Sequence, residues 1–160
     1  APIDVRDLLY SAAATTQPLF KDRGARLQIE VQDGLPQLHA DPDRLLQVLL
    51  NLLSNAAKFV PAGAGEVRVR VYGDAQGLTV CVQDNGPGVP VGHEQLIFER
   101  FHQAGLPTPG GQGTGLGLPI SRHILAHFGG RIWLEPTEGP GACFCFRLPW
   151  EPAPSEETGP

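Results

Sequence analysis

Three polar side chains recur at helical spacing in the segment DPDRLLQVLLNLLSNAAKFV, residues 41–60. Asn51, Asn55 and Lys58 stand at i, i+4 and i+7, so an α-helix places them within an arc of about 60°. Asparagine carbonyl oxygens suit a hard cation such as Mg²⁺, and a lysine can reach a phosphate as a point charge. A solvated polar face is the simpler explanation, although asparagine is a weak helix former for that purpose. The spacing alone leaves both interpretations open.

A second cluster, QDNGPGVP at residues 83–90, follows a run of apolar residues typical of a buried strand. Its Asp84 carboxylate can accept a hydrogen bond from an exocyclic amine such as that of adenine. Gly86 and Gly88 would let a flat ring approach the backbone closely. An ordinary Asp-Asn-Gly turn explains the same residues, and the motif alone does not decide between the two.

A third cluster is the stretch GTGLGL, residues 113–118, where a glycine-rich loop leads into a predicted helix. Free backbone N–H groups and the positive end of a helix make such a junction an anion site, and missing side chains let phosphates come close. The stretch is not a P-loop, because no lysine follows the glycines. It also does not follow a strand, as a dinucleotide-binding fingerprint must.

These clusters are carried by a predicted series of helices and short strands. We expect helices over about 4–20, 41–60 and 116–128, with a short helical piece over 94–101. We expect strands over 26–31, 66–72, 77–83, 131–135 and 142–148. One helix therefore lies between the third and the fourth of five strands. The order predicts an α+β fold of two layers, an antiparallel or mixed sheet with three main helices on one face.

The composition of the whole chain bounds the function classes. Its 160 residues, 41% of them hydrophobic, suffice for one globular domain. The net charge of -5 argues against a nucleic-acid partner. No apolar run approaches the ~18 residues needed to span a membrane. The chain starts at Ala1 and contains no methionine, so we expect a domain of a longer protein, with residues 1–149 folded and the proline- and acid-rich residues 150–160 disordered.

Three cysteines, Cys81, Cys143 and Cys145, lie in predicted strands without CxxC spacing. Their odd number favours reduced thiols that pack as small apolar side chains in an intracellular protein. Cys143 and Cys145 share one face of a strand, but the sequence places no further ligand beside them. It therefore does not support a metal site there.

Four motifs occur together in one order: the helical segment 41–59, DNGPGVP, IFERFHQ and GTGLGL. With these motifs the chain resembles the catalytic, ATP-binding domain of bacterial sensor histidine kinases, in the GHKL superfamily, where they are the N, G1, F and G2 boxes. HFGGRIW and the closing GPGACFCFRLP resemble the family's last helix and strands. The resemblance covers residues 4–149 and implies the Bergerat-type fold, a two-layer α/β sandwich.

The resemblance implies a role for each matching residue around ATP and Mg²⁺. Asn55 would coordinate Mg²⁺, Asn51 would assist in the same site, and Lys58 would lie near the phosphates.

On the nucleotide side, Asp84 would bind the adenine amine in a pocket shaped by Gly86 and Gly88. Phe98 and Phe101 would anchor a mobile lid, residues 102–113. Further contacts to the phosphates and to the adenine side would come from the last glycine-rich motif, Gly113, Thr114, Gly115, Leu116 and Gly117.

The chain departs from the family pattern at two points. Many members have an arginine where this chain has Gln103, so the resemblance supports no phosphate contact at that position. The five histidines, at 39, 93, 102, 123 and 127, are not in the context of a phosphoacceptor histidine. The acceptor is therefore expected on a separate dimerisation domain of the parent protein.

Related ATPases of this fold hydrolyse ATP with a glutamate one helical turn before the Mg²⁺-binding asparagine. Asn51 occupies that position here and cannot take a proton at neutral pH. We therefore expect an ATP-dependent protein-histidine kinase domain, which reaches a response regulator through its parent. The alternatives are a degenerate, non-catalytic nucleotide-binding or docking module and a serine kinase of the anti-sigma type. The isolated domain is expected to be a cytoplasmic monomer, and an inner-membrane parent sensor stays open.

Overall fold

Seven strands are present in the residues that the computed structural model describes, namely 2–90, 92–99, 117–137 and 139–151. They are β1 Pro2–Ile3, β2 Arg26–Val31, β3 Leu38–His39, β4 Glu66–Gly73, β5 Gly77–Asp84, β6 Arg131–Glu135 and β7 Cys143–Pro149. Five of them form one sheet in the order β2-β4-β5-β7-β6. β2 and β4 run parallel, and the other neighbours run antiparallel. The predicted mixed sheet of about five strands is confirmed.

Three α-helices of the described chain pack on one face of this sheet: α1 Val5–Arg23, α2 Pro42–Phe59 and α3 Gly117–His127. α2 begins where the sequence predicts, because the Asp41 carboxylate accepts hydrogen bonds from the backbone N–H groups of Asp43 and Arg44, at 2.9 and 3.4 Å. α1 is longer than predicted and ends at Gly24, whose φ of 68° caps the helix. None of the helices in the described ranges is long and apolar enough to cross a bilayer.

The core lies between the helices and the inner face of the sheet. On β4, Val67, Val69 and Val71 are buried while the residues between them are exposed, as the alternation predicts. β5 and β7 occupy central positions and are buried along most of their length. α2 buries seven apolar side chains against this layer: Leu45, Val48, Leu49, Leu52, Leu53, Ala56 and Ala57. Because that face of α2 is buried, the direction of its polar stripe is fixed.

Two short strands and one helix differ from the prediction. β1 pairs with β3 in a separate two-stranded sheet, which the sequence does not predict because two residues carry no periodicity. Of the helical piece expected over 94–101, the described residues 94–99 contain a single 3-10 turn, Leu96–Phe98. Its next residue, Glu99, already has an extended backbone, with φ -90° and ψ 152°.

Trp150, which the sequence places in the disordered tail, packs onto the folded part of the chain. Its backbone C=O accepts a hydrogen bond from the N–H of His39 at 2.9 Å, and its indole N–H donates to the C=O of Asp74 at 2.8 Å. Trp150 is therefore part of the fold. Residues 152–160 lie outside the described residues, and disorder there stays a prediction.

The prediction of three reduced cysteines is wrong for one pair. The register of β5 and β7 places Cys81 opposite Cys145 with the Cα atoms 4.1 Å apart, and the two sulfurs are joined in a disulfide. Cys143 is buried and has a free thiol. The prediction failed because it depended on the odd number of cysteines alone. The disulfide follows from the pairing of β5 with β7, which no local sequence pattern reveals.

Candidate functional site

Asp84 ends β5 and is only 6% exposed. Its Oδ1 accepts hydrogen bonds from the backbone N–H groups of Gly86 at 2.9 Å and Ala142 at 3.3 Å. Both hydrogen bonds that the carboxylate forms with the described residues use Oδ1, which leaves Oδ2 for a further donor. Burial raises the pKa of Asp84, and the two backbone donors oppose that shift. The fold therefore holds a carboxylate where it is costly to keep charged, which is typical of a binding group.

The two glycines after Asp84 are required by packing within the protein. A side-chain carbon on Gly86 would lie 2.6 Å from the backbone oxygen of Phe59, the last residue of α2. Gly88 has φ 83°, and a side-chain carbon there would lie 2.9 Å from the backbone oxygen of Gly141. The close contact at Gly86 brings the Asp84 loop against the end of α2.

Asn51 joins the middle of α2 to the start of α3. Its Nδ2 donates hydrogen bonds to the C=O of Gly117 at 3.2 Å and to Oγ of Ser121 at 3.1 Å. Ser121 is completely buried, whereas Gly117 is exposed. A simple solvated face therefore does not describe Asn51. The helix with the asparagines and Gly117, the last glycine of the GTGLGL motif, lie side by side.

Asn55 and Lys58 continue the same stripe and are half-buried. The Asn55 side chain forms no hydrogen bond with the described residues, so its amide oxygen is open to a ligand. The Lys58 ammonium lies 5.4 Å from the centre of the Phe59 ring, and burial lowers its pKa. The stripe therefore offers one uncommitted carbonyl oxygen and one cation towards the end of α2.

Phe98, predicted to anchor a lid, is a core residue. It is 5% exposed and packs edge-on against Phe144, with the ring centres 6.1 Å apart. The other predicted contacts lie outside the described residues, and their roles stay predictions: Phe101, Gly113, Thr114, Gly115, Leu116 and the lid 102–113 with Gln103.

Three residues that sequence reasoning missed hold the site together: Ser121, Gly141 and Ala142. The C=O of Ala142 accepts a hydrogen bond from the N–H of Asp84 at 2.9 Å. Gly141 has φ 111° and lies so close to the Asp84 backbone oxygen that no side chain fits. The sequence predicts a turn at EGPG, which contains Gly141. Only the pairing of β5 with β7 shows that this turn contacts Asp84.

A cavity of about 240 Å³ also borders Asp84. It contains none of the predicted residues of α2, so we do not assign the candidate site to it. Its lining residues are Arg26, Gln28, Glu66, Val67, Arg68, Gln83, Asp84, Asn85 and Pro140.

A two-layer α+β domain that brings a buried aspartate and an asparagine-bearing helix to one end of its sheet defines the class of GHKL-type ATP-binding domains. The sequence model of the family described as histidine kinase-, DNA gyrase B- and HSP90-like ATPase matches residues 40–152, and the chain belongs to this family.

Curated relatives are sensory kinases. The adaptive-response sensory kinase SasA of Synechococcus sp. (strain CC9311) is 33% identical over 150 residues, which cover 93% of this chain and 39% of that protein. SasA of Synechococcus sp. (strain JA-2-3B'a(2-13)) is 37% identical over 133 residues, which cover 82% of this chain and 35% of that protein. The chain spans about two fifths of the length of the curated relatives it matches.

Solved structures share the fold. The catalytic domain of histidine kinase ThkA superposes with a TM-score of 0.84 at 27% identity, over 95% of this chain and 96% of that one. Full-length ShkA in complex with AMPPNP superposes with a TM-score of 0.82 at 35% identity, over 96% of this chain and 31% of that one. The chain is therefore a catalytic ATP-binding domain of the sensor histidine kinase type, which confirms the resemblance.

Proposed function

We propose that the chain binds Mg-ATP, with the adenine at Asp84 and the phosphates between α2 and the start of α3. It then transfers the γ-phosphate to a histidine on a separate dimerisation domain of its parent. The observation that carries this proposal is the buried Asp84 carboxylate, whose Oδ1 is held by the N–H groups of Gly86 and Ala142. The same loop packs on the end of the helix that carries the polar stripe.

At the adenine end, Oδ2 of Asp84 accepts a hydrogen bond from the exocyclic amine. The carboxylate has little access to water, since Asp84 is 6% exposed. A base without a donor at that position would leave the buried acceptor unpaired, which costs binding free energy. ATP is therefore preferred over GTP, whose ring carries a carbonyl oxygen in place of the amine.

At the phosphate end, the amide oxygen of Asn55 is the ligand offered to Mg²⁺. A half-buried amide without a hydrogen bond to the described residues fits a hard cation that takes few protein ligands. When bound, Mg²⁺ neutralises charge on the phosphates. Lys58 adds a positive charge, and exposed Gly117 leaves room for a phosphate at the start of α3. By their place in the motif, Gly113, Thr114, Gly115 and Leu116 extend this contact.

Asn51 stands where hydrolysing members of the superfamily carry a glutamate. Its Nδ2 is committed to Gly117 and Ser121, and an amide does not accept a proton from water at neutral pH. α2 therefore has no general base at this position. This favours transfer of the phosphate over hydrolysis, with catalysis by positioning and charge stabilisation.

The partners belong to the parent protein. The relatives named sensory kinases and the ShkA complex with AMPPNP support a nucleotide-dependent kinase in which this domain serves an acceptor histidine and, through it, a response regulator. The domain is a monomer on the cytoplasmic side, where ATP is available, and this holds equally for an inner-membrane parent.

Calorimetry on the 160-residue chain tests the binding step. We expect one Mg-ATP per chain and an affinity for Mg-GTP at least about tenfold lower, because an unpaired charged acceptor costs roughly 1.5–3 kcal/mol. No binding at millimolar Mg-ATP would support the non-catalytic docking module instead.

Autophosphorylation of the full-length parent tests the transfer step. Asn55→Asp places a negative charge beside the triphosphate, and Gly115→Ala adds a side chain in the glycine-rich motif, so neither variant should form phosphohistidine. Gln76→Glu adds the same charge in the turn before β5, at the strand end opposite Asp84, and should react like the wild type. Wild-type phosphohistidine in both site variants would contradict the assignment.

A further inference from the structure

The outer face of the sheet, away from the helices, carries a cluster of three cysteines. The Sγ atoms of Cys81, Cys143 and Cys145 all lie within 4.8 Å of one another, and those of Cys143 and Cys145 are 3.7 Å apart. All three residues are buried, at most 3% exposed, and they form a packing cluster separate from the main core. Trp133 packs against them.

The strand register creates this cluster. Cys81 on β5 is opposite Cys145 on β7, and Cys143 lies two residues away on the same face of β7. Arg70 on β4 is opposite Cys81, and Trp133 on β6 is opposite Cys145. Three sulfurs are thus held by the hydrogen-bonded ladders of central strands, between a cation and an aromatic ring.

We propose that in the reduced protein these three sulfurs bind a soft, thiophilic metal ion that accepts three thiolate ligands, with copper(I) as its representative. Thiolate ligands select soft ions. Zinc in structural sites takes four ligands, and in the described residues no histidine, aspartate or glutamate joins the three cysteines. The sequence around Cys143 and Cys145 offers no third ligand. The fold supplies one, Cys81, from the neighbouring strand β5.

The disulfide between Cys81 and Cys145 is the oxidised form of the same site. A thiol reductant supplies two electrons and two protons, which breaks the S–S bond and gives three thiols. The thiols release their protons as the sulfurs bind the ion. Metal and disulfide exclude each other because they use the same sulfurs.

One cation, Arg70, lies beside the thiol cluster, while Glu135 and Asp84 act on Cys143 in the opposite direction. Burial raises the pKa of the Cys143 thiol, and the guanidinium of Arg70 opposes that shift. Cys81 and Asp84 stand three residues apart on β5 and so face opposite sides of the sheet. The thiol cluster and the Asp84 carboxylate therefore lie on opposite faces of the sheet, and copper binding and nucleotide binding are measured by separate experiments.

The test is a titration of the phosphine-reduced 160-residue chain with copper(I), without oxygen and in competition with a chromophoric copper(I) chelator. We expect one ion per chain and three sulfur neighbours by X-ray absorption. Cys143→Ser removes one ligand and should weaken binding by more than the roughly 10–100-fold typical of changes around the ligands. Thr79→Ser alters the adjacent position on the same face of β5 and should keep the wild-type affinity.

Three results would overturn the site: no transfer of copper from the chelator to the reduced wild type, two sulfur neighbours, or unchanged affinity in Cys143→Ser. Circular dichroism checks that each variant folds. If Cys143→Ser does not fold, the air-oxidised wild type replaces it, because the disulfide removes two of the three ligands. The oxidised chain should take up no copper, and copper uptake equal to that of the reduced chain would equally contradict the proposal.

Discussion

The two ends of the candidate site are built differently. At the proposed adenine end, Asp84 is held by backbone groups of Gly86 and Ala142, and Ala142 directly precedes β7, which pairs with β5. At the phosphate end, α2 and α3 are joined by two hydrogen bonds of one side chain, Asn51. The surroundings of Asp84 therefore form together with the sheet, whereas the contact between α2 and α3 depends on the side-chain amide of Asn51. At each end, one substitution should therefore act mainly on stability and another mainly on nucleotide affinity.

The largest effect on stability is expected for Gly141→Ala, because Gly141 packs directly against the backbone of Asp84. Gly141 has φ 111°, and an added side-chain carbon would overlap the Asp84 backbone oxygen. Strain and overpacking together should lower the free energy of unfolding by about 3 kcal/mol or more. Urea unfolding measures this.

The matched control is Gly139→Ala in the same turn. Gly139 also has positive φ, 138°, but has no atom within 4 Å of the added carbon among the described residues. It should cost only the backbone strain. Equal losses in the two variants would show that the contact with Asp84 is unimportant.

Asp84→Asn should separate binding from stability. The asparagine oxygen can still accept the two backbone hydrogen bonds, but an amide N–H would then face the adenine amine. We expect Mg-ATP affinity to fall by roughly 10–100-fold, since a hydrogen bond to a charged group contributes about 1.5–3 kcal/mol. The free energy of unfolding at neutral pH should not fall, because a buried charge is removed. Calorimetry and urea unfolding measure the two quantities.

The pH dependence sharpens this prediction. Because burial raises the pKa of Asp84, its contribution to stability is fully present below the ordinary aspartate pKa of about 3.9 and is lost as the pH rises through the raised value. The stability advantage of Asp84→Asn should therefore grow over that window. Asp74 is the opposite case, because the hydrogen bond from Arg147 lowers its pKa. The effect of Asp74→Asn on the free energy of unfolding should therefore disappear at low pH. If the free energies of unfolding of the Asp84→Asn and Asp74→Asn variants changed with pH in the same way, the account would be refuted.

At the phosphate end, two asparagines four residues apart should behave differently. Asn51→Ala removes both hydrogen bonds between α2 and α3 and should lower the free energy of unfolding by about 1–2 kcal/mol. Asn55→Ala removes no hydrogen bond to the described residues and should leave stability within about 0.5 kcal/mol or raise it, because alanine is the better helix former. Its cost should appear in the Mg²⁺-dependent affinity for ATP. A larger loss of stability in Asn55→Ala than in Asn51→Ala would reverse the comparison.

No loss of stability is expected for Gly117→Ala. An added side-chain carbon would meet Asn51 at 3.9 Å, an ordinary contact, and alanine favours the helix by up to about 1 kcal/mol. If phosphates approach this glycine, the affinity for Mg-ATP should fall although the fold is unharmed. Unchanged affinity would remove Gly117 from the site.

The sequence predicts the sheet, the three main helices and the stripe of α2, because each depends on local periodicity or on a cap such as Asp41. It does not predict what the strand pairing decides. The neighbourhood of β5 and β7 joins Cys81 to Cys145 and sets Gly141 against Asp84, and neither contact has a local signal. The contact of Asn51 with Ser121 is likewise missed, because 70 residues separate the two in the chain.

The central claim is that the two ends form one nucleotide site. A titration of the isotope-labelled chain with Mg-ATP, followed by NMR, tests it most directly. We expect the backbone amides of Gly86 and Ala142 and the side-chain amides of Asn51 and Asn55 to shift together, with one common dissociation constant. Shifts confined to one end, or no shifts at millimolar Mg-ATP, would contradict the account.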